Sequence, residues 1–281
     1  MREITFEALK DKVRDLYLDC AYYLDEKLID TVKKASETET SAPGRDVLKD
    51  LLLNYEIAAR DRVAICQDTG MAMLFIEWGQ ECHLTGGAYE DAVNQGVREA
   101  YIDGYLRKSI VNDPLYDRKN TGDNTPAVIH TRIVPGDQVH ILAIAKGFGS
   151  ENMSRIAMLP PSAGEKGVLD FIVDTVRQAG PNPCPPIVLG ICVGGSFETC
   201  AEMAKKMTAE PVDAVNPDPR YAALEKKAFE AVNRLNIGPA GIGGDTTALS
   251  LHIAALPTHI AGMPVAVSVC CHACRHKEGT L

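Results

Sequence analysis

The chain has 281 residues, 46% of them hydrophobic and 24% charged, with 29 Lys and Arg against 38 Asp and Glu for a net charge of −9. This balance excludes a disordered chain, and the length suffices for one large unit or two of about 150 residues with a core that needs no disulfides. An acidic chain without a Lys/Arg-rich run lacks the basic face that nucleic acid requires, and no apolar stretch approaches the ~20 residues that cross a bilayer. Met1-Arg2-Glu3-Ile4 opens directly into charged helical sequence with no signal peptide, so a cytoplasmic protein is expected.

From Phe6 to about Arg60 apolar residues such as Leu9, Val13, Leu16, Tyr17, Val47, Leu48, Leu51 and Leu52 recur at helical spacing. The stretch Glu37–Gly44 reads as a polar loop between helices, because Pro43-Gly44 does not continue one. Met71–Trp78 is an apolar run, and Asp91–Arg107 is a further helix entered from a Gly86-Gly87 turn. Ala127–Val134 and Gln138–Ala145 are β-rich and flank Pro135-Gly136-Asp137, which predicts a hairpin. Helices follow over Glu165–Gln178, Glu198–Met207 and Tyr221–Leu235. Strands are expected at Ile187–Val193, Ala248–Ala255 and Pro264–Val269. The fold class is α+β, with a mainly helical lobe over residues 1–115 packed on a mixed lobe over 116–281.

Nine cysteines in a chain without a secretion signal imply reduced thiols, each either a small buried hydrophobe or a ligand. Five loop-like clusters carry the unusual residues. Cys66-Gln67-Asp68-Thr69-Gly70 places an acid two residues after a thiol; its structural alternative is a strand entry with a capping Asp. Lys146-Gly147-Phe148-Gly149-Ser150-Glu151-Asn152 is a Gly-rich strand end, able to bring a backbone N–H close to a ligand but lacking a Walker or dinucleotide signature. Pro181-Asn182-Pro183-Cys184-Pro185-Pro186 fixes the backbone on either side of one thiol, with Cys192 competing as a ligand. Gly241–Thr247 is followed by Pro257-Thr258-His259, where a lone His is ordinarily structural. Val269–His276 contains Cys270, Cys271 and Cys274. The Cys271/Cys274 pair with His272 and His276 suggests zinc, yet no second Cys-x-x-Cys completes a finger, and no dense Cys run suggests a ferredoxin.

Taken together, Cys66-Gln67-Asp68-Thr69-Gly70, Lys146–Asn152, Cys184-Pro185-Pro186 and Pro257-Thr258-His259 resemble the class I iron-sulfur fumarate hydratases and tartrate dehydratases, in particular the α subunit of their two-subunit form. The resemblance runs over essentially the whole chain. It implies a [4Fe-4S] cluster held by Cys66, Cys184 and Cys271, with one iron left open, and Cys192 relegated to packing. Cys270 and Cys274 depart from the family's usual pattern around the third ligand. An open iron suits a hydro-lyase, because hydroxide is a poor leaving group that a Lewis acid can assist. The resemblance further implies that Asp68 exchanges a proton with the substrate oxygen, supported by His259. Gln67 orients the substrate, while Arg107 and the Gly149 N–H hold a carboxylate.

The second acid–base group needed at carbon is expected on a β subunit, in an (αβ)2 assembly, with α alone nearly inactive and Leu281 ending a chain complete as a fold but not as a site. The expected reaction interconverts fumarate and (S)-malate, with L(+)-tartrate or mesaconate as alternative substrates. A zinc or redox-sensing scaffold on Cys270, Cys271 and Cys274 leaves the other clusters unexplained.

Overall fold

The computed structural model describes all 281 residues. In chain order the elements are β1 (Arg2–Thr5), α1 (Phe6–Tyr22), α2 (Glu26–Thr38), α3 (Ala42–Asp61), β2 (Met71–Gly79), β3 (Cys82–Thr85), α4 (Tyr89–Asp103), β4 (Val128–Val134), β5 (Val139–Lys146), the single turn α5 (Phe148–Glu151) and β6 (Arg155–Leu159). They continue with α6 (Gly164–Ala179), β7 (Ile187–Gly195), α7 (Phe197–Lys206), α8 (Pro219–Asn233), β8 (Ala248–Thr258), β9 (Met263–Cys270) and β10 (Arg275–Thr280). The fold is α+β, as expected.

Its two units interleave in sequence. One comprises Met1–Leu24, Tyr55–Phe148 and Arg275–Leu281, the other Asp25–Asn54 and Gly149–Cys274. The expected division at residues 115/116 falls inside the first unit: periodicity reports which residues are helical, not which distant segments share a core.

In the first unit a four-stranded sheet of order β10-β5-β2-β4 is backed by α1, which packs along α4. Period-2 alternation sends Ala72, Leu74, Ile76 and Trp78 of β2, and Val139, Ile141, Ala143 and Ala145 of β5, into one core with Leu9, Val13, Leu16 and Tyr17 of α1. α1 starts at Thr5, whose hydroxyl accepts from Ala8 N at 3.1 Å. The predicted hairpin does not form. β4 runs parallel to β2 and β5 antiparallel to it, so β2 lies between them. The 135–137 turn instead crosses the end of β2, where Gly79 N donates to Gln138 O and Gln80 N to Val134 O. Turn chemistry specified a reversal of the chain, while the more apolar β2 took the central position.

In the second unit the sheet order is β6-β9-β7-β8. β7 is parallel to β8 and antiparallel to β9, and α6 and α8 cover Leu189, Ile191, Leu251, Ile253, Val265 and Val267 on one face. β7 is buried, as its unbroken apolar run predicts. Residues 25–54 join this unit through Glu39. Its side chain is 2% exposed and accepts from Ser41 N at 3.0 Å, Asp245 N at 2.9 Å and Thr246 N at 2.8 Å. The polar stretch 37–44 is shorter than expected as a loop, because α3 starts at Ala42 and takes Pro43 and Gly44 into its first turn. Proline fits there, since an N–H in that turn has no helical partner to lose.

Burial alone would push the Glu39 carboxyl up, but the hydrogen bonds from Asp245, Ser41 and Thr246 outweigh it and hold the group below the usual carboxylate range. The resulting stabilisation is complete above the unfolded-state pKa and is lost as pH falls through the lower folded value. Glu39→Gln should cost about 2–4 kcal/mol in urea denaturation at neutral pH, and the gap from wild type should narrow as the pH is lowered through the acidic range.

Candidate functional site

The Cys66–Gly70 segment connects α3 to β2 and is tied at every residue. Ile65 N donates to Ala21 O at 3.0 Å. The Cys66 thiol, half-buried, accepts from Asp68 N at 3.4 Å and donates to Gln67 Oε1 at 3.3 Å. Asp68 closes a local turn, its Oδ1 accepting from Gly70 N at 3.0 Å, while Oδ2 accepts from Phe148 N at 2.7 Å. The buried Thr69 donates its hydroxyl to Arg107 O at 2.8 Å, which brings the backbone of Arg107 beside the loop and leaves its side chain exposed.

Two buried groups secure the far side. Tyr101 OH lies 2.9 Å from both Thr69 O and Gly70 O, and Asn124 Nδ2 donates to Gly70 O at 3.1 Å. Burial pushes the Tyr101 phenol well up, so it stays a donor. Gly70 has φ +87°, and a Cβ there would come within 2.8 Å of Ala145 C. Only glycine lets the loop lie this close to β5.

Arg275, to which the sequence reading gave no role, sits against the same loop. Its side chain is 2% exposed, and its Nε and Nη1 have no hydrogen-bond partner. A Cβ on Gly147 would lie 3.5 Å from Arg275 Nη2 and 3.3 Å from Asp68 Oδ2, so the guanidinium and the carboxylate flank one point. Arg275 opens β10, paired with Ala145 of β5. The strand Arg-His-Lys-Glu-Gly-Thr has no apolar alternation, and this hid it in the sequence. A cation adjoining a Cys-rich apolar run was the available signal.

The second unit holds Gly149, Cys184, His259 and Cys271. Cys184 is exposed, with φ +52° and its N–H donating to Pro181 O at 3.1 Å. A non-glycine residue in that region is strained, and the surrounding loop must hold it there. Ala240 N donates to Pro185 O at 2.7 Å, and a Cβ on Gly241 would meet Pro181 Cβ at 2.2 Å, so the Gly-rich 238–244 loop buttresses the Cys184 loop. Gly149 is exposed and close to that loop, a Cβ there lying 3.7 Å from Asn182 O.

Strand register separates the remaining residues. Val188 pairs with Cys270, which puts Cys184 and Cys271 at one end of the β7–β9 ladder. Gly195 pairs with Thr258, which puts His259 at the other end. His259 is exposed in the β8–β9 turn, its Nδ1 accepting from Ala261 N at 3.2 Å.

Exposure also divides the thiols. Cys20, Cys192, Cys200, Cys270 and Cys274 are buried, whereas Cys66, Cys82, Cys184 and Cys271 are at least partly open; of these Cys82 lies on β3, apart from the loop clusters. Burial pushes Cys20 up to about 12, and hydrogen bonding with Cys200 together with burial raises Cys192. Such thiols resist the deprotonation that ligation requires. Within neither unit do three His, Cys, Asp or Glu side chains form a group that could hold a metal ion; the expected ligands are divided, Cys66 in the first unit and Cys184 and Cys271 in the second.

Gly70→Ala should destabilise the chain by about 2 kcal/mol or more, through strain at positive φ and the backbone clash. Thermal denaturation with amide exchange should show a lowered midpoint and faster exchange confined to residues 65–70.

Residues 10–280 match the family model described as Fumarate hydratase (Fumerase). A Methanocaldococcus jannaschii protein provisionally named L(+)-tartrate dehydratase subunit alpha is 34% identical over 271 residues, covering 95% of each chain. The L(+)-tartrate dehydratase subunit alpha of Escherichia coli O157:H7 is 32% identical over 260 residues, covering 92% of this chain and 85% of its own, and that of Escherichia coli K12 matches to the same extent. The chain belongs to the fumarate hydratase family of hydro-lyases.

Proposed function

We propose that this chain is the cluster-binding α subunit of an iron-sulfur hydro-lyase that interconverts fumarate and (S)-malate together with a β subunit. The observation that carries the reading is Asp68, an acid pinned by two backbone amides two residues after a partly open thiol. The thiols of Cys66, Cys184 and Cys271 suit a [4Fe-4S] cluster in donor chemistry and in exposure, and the strained backbone at Cys184 has an evident use in presenting a ligand. When bound, the cluster supplies an iron without a protein ligand as a Lewis acid toward the substrate hydroxyl.

The chain's own residues do the rest. Asp68 holds or releases the proton of the substrate oxygen, with its carboxylate oriented before substrate arrives. Gln67, exposed beside it, orients the same group. Arg107 and the Gly149 N–H grip a carboxylate, an interaction suited to a planar guanidinium fork and a bare backbone amide. His259 supports Asp68. The proton at carbon is handled by a group on the β subunit, which also accounts for relatives being named as alpha subunits. Reduced thiols and an exposed iron fit the cytoplasm. No helix is long and apolar enough to cross a membrane.

The relatives' names favour L(+)-tartrate as the second substrate to examine, since one hydroxyl separates it from malate and pocket discrimination of that size is modest, about 1–3 kcal/mol. Anaerobic co-expression with the β subunit should give a brown complex that hydrates fumarate; zinc in place of iron, or turnover of neither fumarate nor tartrate, would refute the reading. Cys184→Ala should lose iron while Cys192→Ala retains it, as read by iron analysis and visible absorption. Asp68→Asn should keep its iron and lose at least about 100-fold in kcat; near-normal turnover removes Asp68 from catalysis.

A further inference from the structure

We propose that Arg275 is the fixed countercharge of the iron-sulfur cluster, a positioning residue whose buried guanidinium offsets the negative charge that the thiolates bring to the Cys66 loop. The inference rests on the functional reading above, in which Cys66 is one of three ligands and Cys271, four residues before Arg275, is another.

A guanidinium carries five N–H donors and a charge that does not titrate away, so once buried it needs acceptors and an anion. Arg275 is 2% exposed, and its Nε and Nη1 are sealed from solvent without a partner. The buried side chains that feel its charge do not supply the anion. Cys20 and Tyr101 are fully buried, and burial pushes each up, Cys20 to about 12, so the thiol and the phenol stay neutral. The Asp68 carboxylate lies across Gly147, yet its oxygens accept from Gly70 N and Phe148 N and not from Arg275.

The fold puts this charge beside the Cys66 loop. Arg275 pairs with Ala145 near the end of β5. The loop crosses the same point, since a Cβ on Gly70 would lie 2.8 Å from Ala145 C and 2.9 Å from Lys146 N. Cys66 belongs to that loop, its Sγ accepting from Asp68 N at 3.4 Å. A cubane core with two positive charges, held by three thiolates, is anionic overall, and the charge around a cluster sets its potential. In a low-dielectric setting a cation acts on such a group across several ångströms without touching it. An apolar residue would suit the empty fold as well or better, so the charge has its use in the loaded site. The dicarboxylate substrate is the competing anion. The sealed position of Nε and Nη1 favours the cluster, because a substrate arriving from solvent does not reach them.

Arg275→Met and Arg275→Lys, each assembled with β under anaerobic conditions, test the proposal. Arg275→Met should lower the midpoint potential of the cluster by about 59 mV, a tenfold change in the one-electron equilibrium. It should also lose iron to a chelator at least about tenfold faster. Arg275→Lys keeps the charge and should keep a potential close to that of the wild type. The iron-free full chain gives a readout apart from the loaded enzyme: Arg275→Met should melt no lower than wild type, as removal of an uncompensated buried charge predicts. If Arg275→Met takes up no iron while its iron-free melting is preserved and Arg275→Lys loads normally, the countercharge is equally supported.

An unchanged potential in loaded Arg275→Met overturns the proposal. A lowered melting midpoint of the iron-free chain does so too, because it assigns the charge to the fold. A raised KM for malate at unchanged potential gives Arg275 to the substrate and also overturns it. Should the wild-type complex carry no cluster, the functional reading and this proposal fall together; a loaded wild type beside an Arg275→Met of unchanged potential sinks the countercharge alone.

Discussion

The Asp68 carboxylate, bonded at one oxygen by Gly70 N and at the other by Phe148 N, is the constraint around which the loops of the first unit are arranged. Two backbone donors fix its plane without using a flexible side chain, so the acid is oriented before any substrate binds. The supports reach far along the chain: Tyr101 and Asn124 hold the carbonyls of Thr69 and Gly70, and Thr69 holds Arg107. Holding one carboxylate in place takes this redundancy, because each neutral hydrogen bond contributes only about 1 kcal/mol net.

Arg275 adds a cost that the fold alone does not justify. A guanidinium 2% exposed with two donor nitrogens unpartnered opposes stability, and an apolar residue of similar volume is often as good or better at such a site. Its position across Gly147 from Asp68 places a positive charge on the far side of that glycine from the pinned carboxylate. Natural sequences break local rules chiefly at functional sites, and this is the clearest such break in the first unit.

Much of this was legible in the sequence. Amphipathic spacing located α1, α4, α6, α7 and α8, and unbroken apolar runs located β2, β7, β8 and β9, because burial imposes those patterns directly. What stayed hidden depends on partners distant in the chain. The 128–146 segments read as a hairpin since nothing local shows that β2 will separate them. β10 was invisible because its polar residues alternate without an apolar face. Glu39 reads as an ordinary surface acid until the 244–246 amides converge on it. The motifs singled out Asp68, Cys184 and His259 but said nothing of the strand length that sets His259 apart from Cys184, which only register reveals.

In the proposed function, three thiols of this chain leave one iron of a cluster open to substrate. The most direct test is Mössbauer spectroscopy of the 57Fe-loaded αβ complex with and without malate. About one iron in four should change its isomer shift and quadrupole splitting on substrate addition. Four irons unaltered by substrate, as in a fully ligated electron-transfer cluster, would contradict it.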